Sequence, residues 1–440
     1  MQMEIVGWLE MVSKSDKDTF CILPWVHLYA NTEGLVGPCC IADGEHYTKT
    51  CGDLSFQTVK EAMNSSFMNQ LRKKMMNGEK DPTCAVCYDI EELGYRSYRQ
   101  EKNEQFHLKD WKLYGEYPVL NTLIENTDKI TGQLKKFDLK YLDIRFSNIC
   151  NFKCIMCSHR FSSAWYEDAL KLTKNTGWPL IEDTDRKVLE IDGSDDKLWD
   201  KLEPYLKDVE FIYFAGGEPL VTEYHYRILE KLIQIKNFPK LHYNTNFSKL
   251  RYKQYDLLEM WNYFPLINLS VSLDESGERG EYIRKGMNWE VILNNREIIR
   301  EKCPHIYFTV HCVAQITNSL NLTNFLTKLL QIDFVKNPKR ISIHYLHWPD
   351  FQSITVLSEE MKDRVKEDIG IFKGWVIKKY PNYDDHDHLI VEMDKLVDYM
   401  YSKNHVKYLP IYFENMSKLD KLRNQNLLNT FPELKGRKVL

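Results

Sequence analysis

The feature that most constrains this chain is Cys150-Asn-Phe-Lys-Cys154-Ile-Met-Cys157, three thiols within eight residues at C-x3-C-x2-C spacing. Just upstream, Leu142-Asp-Ile-Arg-Phe-Ser147 alternates apolar and polar residues, the period of a half-buried strand. The triplet therefore belongs on a loop at the C-terminal end of a strand, where α/β barrels keep their chemistry. Iron–sulfur clusters are usually held by four cysteine thiolates, so a run of three can grip three irons and leave the fourth open to another ligand. The plainer alternative is three buried or zinc-binding thiols. Zinc sites favour C-x2-C pairs with a distant second pair, which this spacing fits poorly.

Eleven cysteines in a chain of 440 residues point to metal or redox chemistry if the protein is cytoplasmic, as expected here. Six of them, Cys21, Cys39, Cys40, Cys51, Cys84 and Cys87, fall in residues 1–110. Residues 20–40 read as a β-hairpin turning at Glu33-Gly34, with a cysteine toward either end. Val59, Ala62, Met63, Phe67, Leu71 and Met75 have helical spacing, and Gly78 suits a C-terminal cap. Asp81-Pro-Thr-Cys84-Ala-Val-Cys87 is a C-x2-C knuckle. Cys21, Cys39, Cys84 and Cys87 amount to four ligands, and spacing alone leaves zinc and [4Fe–4S] both open.

Residues 111–139 read as a connector with a short helix. From residue 140 to 350, strands alternate with helical stretches: after the first strand come Val209–Phe214, Lys240–Asn246, Leu266–Asp274, His305–Ala314 and Arg340–Pro349, with a helix expected over 158–172. The second ends in Ala215-Gly-Gly-Glu-Pro219, where glycines allow close backbone approach and Glu218 can accept from a cation. In the fourth, Asn268, Ser270 and Ser272 make a polar face. In the fifth, Thr309, His311 and Gln315 share one face and Phe308, Val310 and Cys312 the other, so Cys312 is expected to be structural. His344, Tyr345, His347 and Trp348 gather toward the end of the sixth. Residues 351–440 read as amphipathic helices. Asp384-Asp-His-Asp-His388 is rich in metal-ligand types but reads as a solvated segment or helix cap.

The triplet resembles the signature of the radical S-adenosylmethionine (radical SAM) enzymes, with Met156 where an aromatic residue is common. The resemblance implies an α/β fold: a partial (β/α)6 radical SAM barrel over 140–350, preceded by a small cysteine-rich region and followed by C-terminal helices. It implies that Cys150, Cys154 and Cys157 hold a [4Fe–4S] cluster whose open iron is chelated by SAM. Reductive cleavage of SAM then yields a 5′-deoxyadenosyl radical that abstracts a substrate hydrogen. Gly216, Gly217, Glu218 and Pro219 look like the GGE(P) motif that holds the SAM ammonium. Asn246 stands in a Thr-Asn-Phe step where relatives have Thr-Asn-Gly. Ser272 and Asp274 look like the Ser-x-Asp step near the ribose and carboxylate, and Arg284 lies where relatives often carry an arginine.

The N-terminal pattern C-x12-G-x4-C followed by C-x2-C looks like the first half of the SPASM motif, called a twitch domain. It implies one auxiliary [4Fe–4S] cluster on Cys21, Cys39, Cys84 and Cys87, in a region that here precedes the barrel rather than following it. Cys40 and Cys51 are left as small buried residues. A reducing flavodoxin or ferredoxin is the expected electron donor, and the substrate is expected to be a peptide or small metabolite undergoing oxidation, crosslinking or epimerisation. The second functional class is a non-catalytic binding protein with a four-cysteine zinc site. Fifty-nine basic against 63 acidic residues, a net charge of −4, give no overall basic field for nucleic acid. No run of 18 apolar residues predicts a membrane span, and no secretion signal is apparent at the N-terminus.

Overall fold

In the computed structural model, the described residues are 19–436 apart from 47, 50, 93, 107–117, 173–176, 180, 183–185 and 192–194. The first residues of the expected 1–110 region and most of the turn-rich start of the connector, 111–117, lie outside them. By internal contacts the chain forms two compact units. One comprises 1–147, 190–216 and 227–240, the other 148–189, 217–226 and 241–440. This division does not coincide with the sequence-based one, because the first two barrel strands fall with the cysteine-rich region.

In the first unit, β1 (His27–Ala30) and β2 (Leu35–Gly37) form the expected hairpin, with Tyr29 opposite Gly37 and Ala30 opposite Val36. Gly34 closes the turn at φ +89°, and a Cβ there would stand 2.8 Å from Ser55 Oγ. That left-handed conformation and crowding both require glycine. A short β3 (Gly52–Asp53) pairs with β2. On its other side β1 runs parallel to β4 (Tyr141–Ile144), the strand that leads to the cysteine triplet, and β4 is parallel to β5 (Phe211–Phe214).

The helix expected from Thr58 to Gly78 is instead two, α1 (Val59–Met63) and α2 (Ser66–Met76). Thr58 opens α1 with a capping box to Glu61, and Ser65 opens α2 by accepting from the Met68 N–H. Two N-terminal caps within eight residues compete with a continuous backbone ladder. The break is held by Arg72, whose side chain is fully buried. Its guanidinium donates to the carbonyls of Gly132 (2.8 Å), Pro24 (3.0 Å) and Met63 (2.9 Å), and to Asn64 Oδ1 (3.1 Å) and Asn69 Oδ1 (2.6 Å). Among the described residues no carboxylate pairs with it, and burial lowers its pKa to about 9. Arg72→Met leaves these acceptors buried without a donor, so a loss of about 3–5 kcal/mol is expected. Urea unfolding measures it, and a loss below about 1 kcal/mol would show that water or relaxation replaces the guanidinium.

α3 (Ala85–Glu92) and α4 (Tyr98–Gln105) complete the cysteine-rich part.

In the second unit, β6 (Lys240–Thr245), β7 (Ile267–Ser272), β8 (Tyr307–Ala314) and β9 (Ile341–Tyr345) are parallel and paired in chain order. With β4 and β5 these make the six expected parallel strands of an α/β fold. Along β8, side chains alternate between half-buried and buried, as a period of two demands. Cys312 lies on the buried face. α5 (Gly277–Ile283), α6 (Trp289–Lys302) and α7 (Leu322–Gln331) connect the strands.

Three C-terminal helices follow, α8 (Glu359–Lys379), α9 (Asp387–Ser402) and α10 (Leu409–Arg423). α9 covers the open edge of β9, where the Ile343 N–H donates to Glu392 Oε2 at 2.6 Å. Occupying that N–H removes a template for strand addition. Within 384–388 the side chains serve structure: Asp385 Oδ1 accepts from Asn337 Nδ2 (2.7 Å) and His386 Nδ1 meets the Tyr380 carbonyl (2.7 Å). Among the described residues no helix is long and apolar enough to cross a membrane.

Candidate active site

The helix expected over 158–172 is reduced to short turns at Ser163–Trp165 and Tyr166–Ala169. Its first residues are spent on clasping the cysteine loop. Ser162 Oγ donates to the Phe152 carbonyl (2.6 Å) and Trp165 Nε1 to the Cys154 carbonyl (2.6 Å). The Ile155 carbonyl accepts from both Trp178 Nε1 (3.1 Å) and Gln352 Nε2 (2.9 Å). From the other side, Lys153 and Ile155 donate their N–H groups to the carbonyls of Lys285 (2.8 Å) and Ile283 (2.9 Å). The loop backbone is thus clasped from several sides, and the Cys157 thiol donates to the Ser158 carbonyl at 3.7 Å. Trp178 and Gln352 carried no sequence signal, because each acts through one hydrogen bond from a distant segment.

All three cysteines are half-buried, and desolvation raises their thiol pKa values, that of Cys150 to about 12. The Phe152 N–H donates to Cys150 Sγ at 3.4 Å, and Arg284 Nη1 stands 3.9 Å from Cys154 Sγ. Thiols whose pKa values are raised by desolvation ionise more readily when positive charge arrives. Three on one loop with an arginine beside them fit a cationic metal cluster. Among the described residues no three His, Cys, Asp or Glu side chains converge as a single metal ion would need.

The other sequence-predicted residues gather around this loop, many already committed to one another. Glu218 is buried and its carboxylate accepts from three donors: the Leu220 N–H (3.0 Å), Thr245 Oγ1 (2.6 Å) and the Asn246 N–H (2.6 Å). Burial, partly offset by these donors, raises its pKa to about 7. A carboxylate has about four acceptor sites, so one remains after this clasp. Pro219 starts the short turn that Glu218 caps. A Cβ on Gly217 would meet the Ile149 carbonyl at 2.2 Å, and Gly216 has φ +119°. Both therefore need to be glycine.

Asn246 Nδ2 donates to Asn151 Oδ1 at 2.9 Å and lies 4.0 Å from Cys150 Sγ. Phe247 adopts φ +58°, the left-handed conformation that glycine supplies at this step in relatives. Asp274 and Arg284 form a buried two-pronged pair, Nη2 to Oδ1 at 3.0 Å and Nε to Oδ2 at 2.8 Å. Asp274 Oδ1 also accepts from the Val313 N–H (2.8 Å). The guanidinium is therefore fixed beside Cys154 by Asp274. Ser272 ends β7, half-buried and opposite His311.

Sequence reasoning missed the outer brace of the loop. Asp168 accepts from Lys153 Nζ (2.8 Å) and from Arg423 Nε (2.8 Å), and the Arg423 guanidinium lies 4.6 Å from the Trp165 ring centre. Tyr282 OH donates to Asp420 at 2.7 Å. α10 thus holds the triplet in place across more than 250 residues of sequence.

In the first unit, Cys21, Cys39, Cys84 and Cys87 line a single cavity together with Leu23 and Met75. Cys21 precedes the helical turn Leu23–Val26, and Cys39 follows β2. Cys84 ends a turn capped by Asp81, and Cys87 lies three residues on, one helical turn away. Lys74 Nζ holds Asp81 at 2.8 Å. None of the four is in a disulfide. Burial raises every thiol pKa, that of Cys21 to about 12; Cys39 is raised further by Cys40, Cys21 and Cys84, and Cys84 by Cys21, Cys87 and Asp81. Four thiols that line one cavity and repel as thiolates fit a cluster that supplies compensating charge. Cys40 adjoins Cys39 but does not line the cavity, standing instead near Asp143 and Arg145, and Cys51 Sγ donates to the Thr48 carbonyl at 3.4 Å.

Residues 144–317 match the radical SAM superfamily, and residues 21–88 match SPASM, an iron–sulfur cluster-binding domain. No curated protein matches the chain. Among solved structures it is similar to anSMEcpe with bound AdoMet and Cp18Cys peptide, at 14% identity and TM-score 0.37, over 55% of this chain and 61% of that one. It is also similar to Streptococcus suis SuiB bound to precursor peptide SuiA, at 15% identity and TM-score 0.34, over 82% of this chain and 70% of that one. The chain spans about 61% of the first of these proteins, and likeness at this level carries nothing about substrate. The two sequence matches fall on the segments that hold the two thiol sets: residues 144–317 are a radical SAM domain and residues 21–88 an N-terminal SPASM-type domain, with [4Fe–4S] clusters and S-adenosylmethionine as the cofactors these domains imply.

Proposed function

We propose that the chain is an enzyme that starts a substrate radical reaction at Cys150, Cys154 and Cys157. The observation that carries this reading is the triplet loop itself, its backbone clasped by Trp165 and Gln352 and its Cys154 thiol placed beside Arg284. Cys150, Cys154 and Cys157 would hold a [4Fe–4S] cluster that, with SAM bound, would supply one-electron reductive cleavage of the SAM C–S bond to methionine and a 5′-deoxyadenosyl radical able to take a hydrogen atom from the substrate. Gly216, Gly217, Glu218, Pro219, Asn246, Ser272, Asp274 and Arg284 are the proposed surroundings of SAM. Of these, Arg284 offsets thiolate charge at Cys154, and Asp274 orients it. The remaining acceptor site of Glu218 would take the SAM ammonium, while its other three tie the glycine turn to the end of β6.

Cys21, Cys39, Cys84 and Cys87 would hold a fully ligated auxiliary cluster, which favours electron transfer over substrate ligation. Accepting the substrate radical's electron there would make the net reaction an oxidation. The substrate is proposed to be a peptide or small metabolite able to hydrogen-bond. The polar strand face supports this: His242 Nε2 meets Ser270 Oγ at 3.1 Å, and Ser270 Oγ meets Thr309 Oγ1 at 3.0 Å. A reduced flavodoxin or ferredoxin is the proposed electron source.

Anaerobic reconstitution with iron and sulfide tests this reading. About eight irons and formation of 5′-deoxyadenosine under dithionite are expected, and SAM left intact would refute it. Glu218→Gln should keep the irons and weaken SAM about ten-fold, because an amide turns a donor toward the Thr245 and Asn246 donors. Equilibrium binding of SAM measures this, and unchanged affinity would leave Glu218 only as a clasp.

A further inference from the structure

The second unit contains a cavity of about 270 Å³ at the starts of β8 and β9, the end of the strands opposite Asp274 and the SAM-directed residues. Its cationic lining comes from Arg296 and Arg300 on α6 and from Lys336 and Arg340 before β9, with His305 before β8 beside them; Asp333 is its one carboxylate. Two segments thus deliver cationic side chains to one pocket.

The pairing of these charges is uneven. Arg300 is neutralised, with Glu297 at 3.3 Å and Asp333 Oδ2 at 3.5 Å. Arg296 is buried. Its Nε donates to the Phe334 carbonyl at 2.7 Å, and its guanidinium lies 4.3 Å from the Phe308 ring centre. Arg340 lies 3.3 Å over the ring of Tyr307. Among the described residues neither Arg296 nor Arg340 has a carboxylate partner. Burial and the neighbouring Arg300 lower the Arg296 pKa to about 10, against the opposing charges of Glu297 and Asp333, with Arg340 adding to the lowering. A buried guanidinium without a counter-ion is costly, and its planar fork matches a tetrahedral oxyanion.

We propose that this cavity binds a phosphate-bearing small molecule, its phosphate held between the Arg296 and Arg340 guanidiniums with Lys336 at the rim. Two unpaired guanidiniums and an ammonium call for more than one negative charge, which a phosphate supplies and a single carboxylate does not. The aromatic faces of Phe308 and Tyr307 fix the two planes, so the forks are set before the ligand arrives.

The test is titration calorimetry of the reconstituted full chain with pyrophosphate and with ADP, at constant ionic strength set by potassium chloride. Sub-millimolar binding of pyrophosphate is expected, reduced at least ten-fold in Arg340→Gln, with 5′-deoxyadenosine formation unchanged. Lys336→Gln, at an exposed position, should weaken binding about three-fold and serves if Arg340→Gln fails to fold. ADP binding more tightly than pyrophosphate, and lost in the same variants, would identify a nucleotide; equal affinities would identify a free phosphate chain. Pyrophosphate that fails to bind, or binds equally to wild type and both variants, overturns the site.

Discussion

Cys154→Ala is expected to reduce 5′-deoxyadenosine formation under dithionite to background and to lower iron from about eight to about four per chain. The loss follows from what the side chain does and does not support. The backbone of residue 154 keeps its structural bonds without the thiol, since its carbonyl takes the Trp165 indole N–H at 2.6 Å and the Cys157 N–H at 3.0 Å. Only Sγ, 3.9 Å from Arg284 Nη1, faces the charge that a cluster would offset. The variant should therefore keep the wild-type circular dichroism spectrum while losing the reaction. Cys312→Ala is the matched control, because that thiol is fully buried on the other face of β8. It should keep both the irons and the activity. Product persisting in Cys154→Ala would mean that the triplet does not start the chemistry.

How much of this could be seen in the residues beforehand depends on the range of each signal. β6 and β8 were legible because one face of each is buried, so period-two alternation is written into neighbouring residues. The triplet and the Gly216–Pro219 turn were legible because their chemistry is compressed into a few positions. The helix expected over 158–172 was not, since nothing in its periodicity shows that Ser162 and Trp165 are engaged by carbonyls of the cysteine loop. Arg72 gave the same difficulty in α2: a lone arginine at helical spacing reads as a surface charge until the carbonyls of Pro24 and Gly132 are brought to it. Asp274 and Arg284 were each singled out from the residues around them. Their pairing with each other was invisible, because ten residues of separation say nothing about which partner a guanidinium takes. The brace from Asp168 to Arg423 lies beyond any local pattern.

Cys84→Ala is expected to separate the two thiol sets. Iron should fall from about eight to about four per chain, while SAM cleavage in the absence of substrate persists near the wild-type rate. The local fold should survive, since the Cys84 N–H bonds the Asp81 carbonyl at 3.0 Å, and Asp81 is held by Lys74 and by the Thr83 N–H, all independent of the thiol. What the variant loses is one of four thiols facing a common cavity. Its remaining partners cannot close a four-thiolate site. Cys40→Ala provides the contrast: that side chain stands near Asp143 and Arg145 and does not line the cavity, so all irons should remain. Combined iron, sulfide and zinc analysis of the three proteins reads the outcome. About four irons and one zinc in the wild type, with zinc alone lost in Cys84→Ala, would identify a structural zinc site and end the proposal that this region accepts an electron. About eight irons falling to about four, with a reduced-cluster spectroscopic signal disappearing in the variant, would leave electron transfer as its work, and the net reaction an oxidation that Cys84→Ala cannot complete.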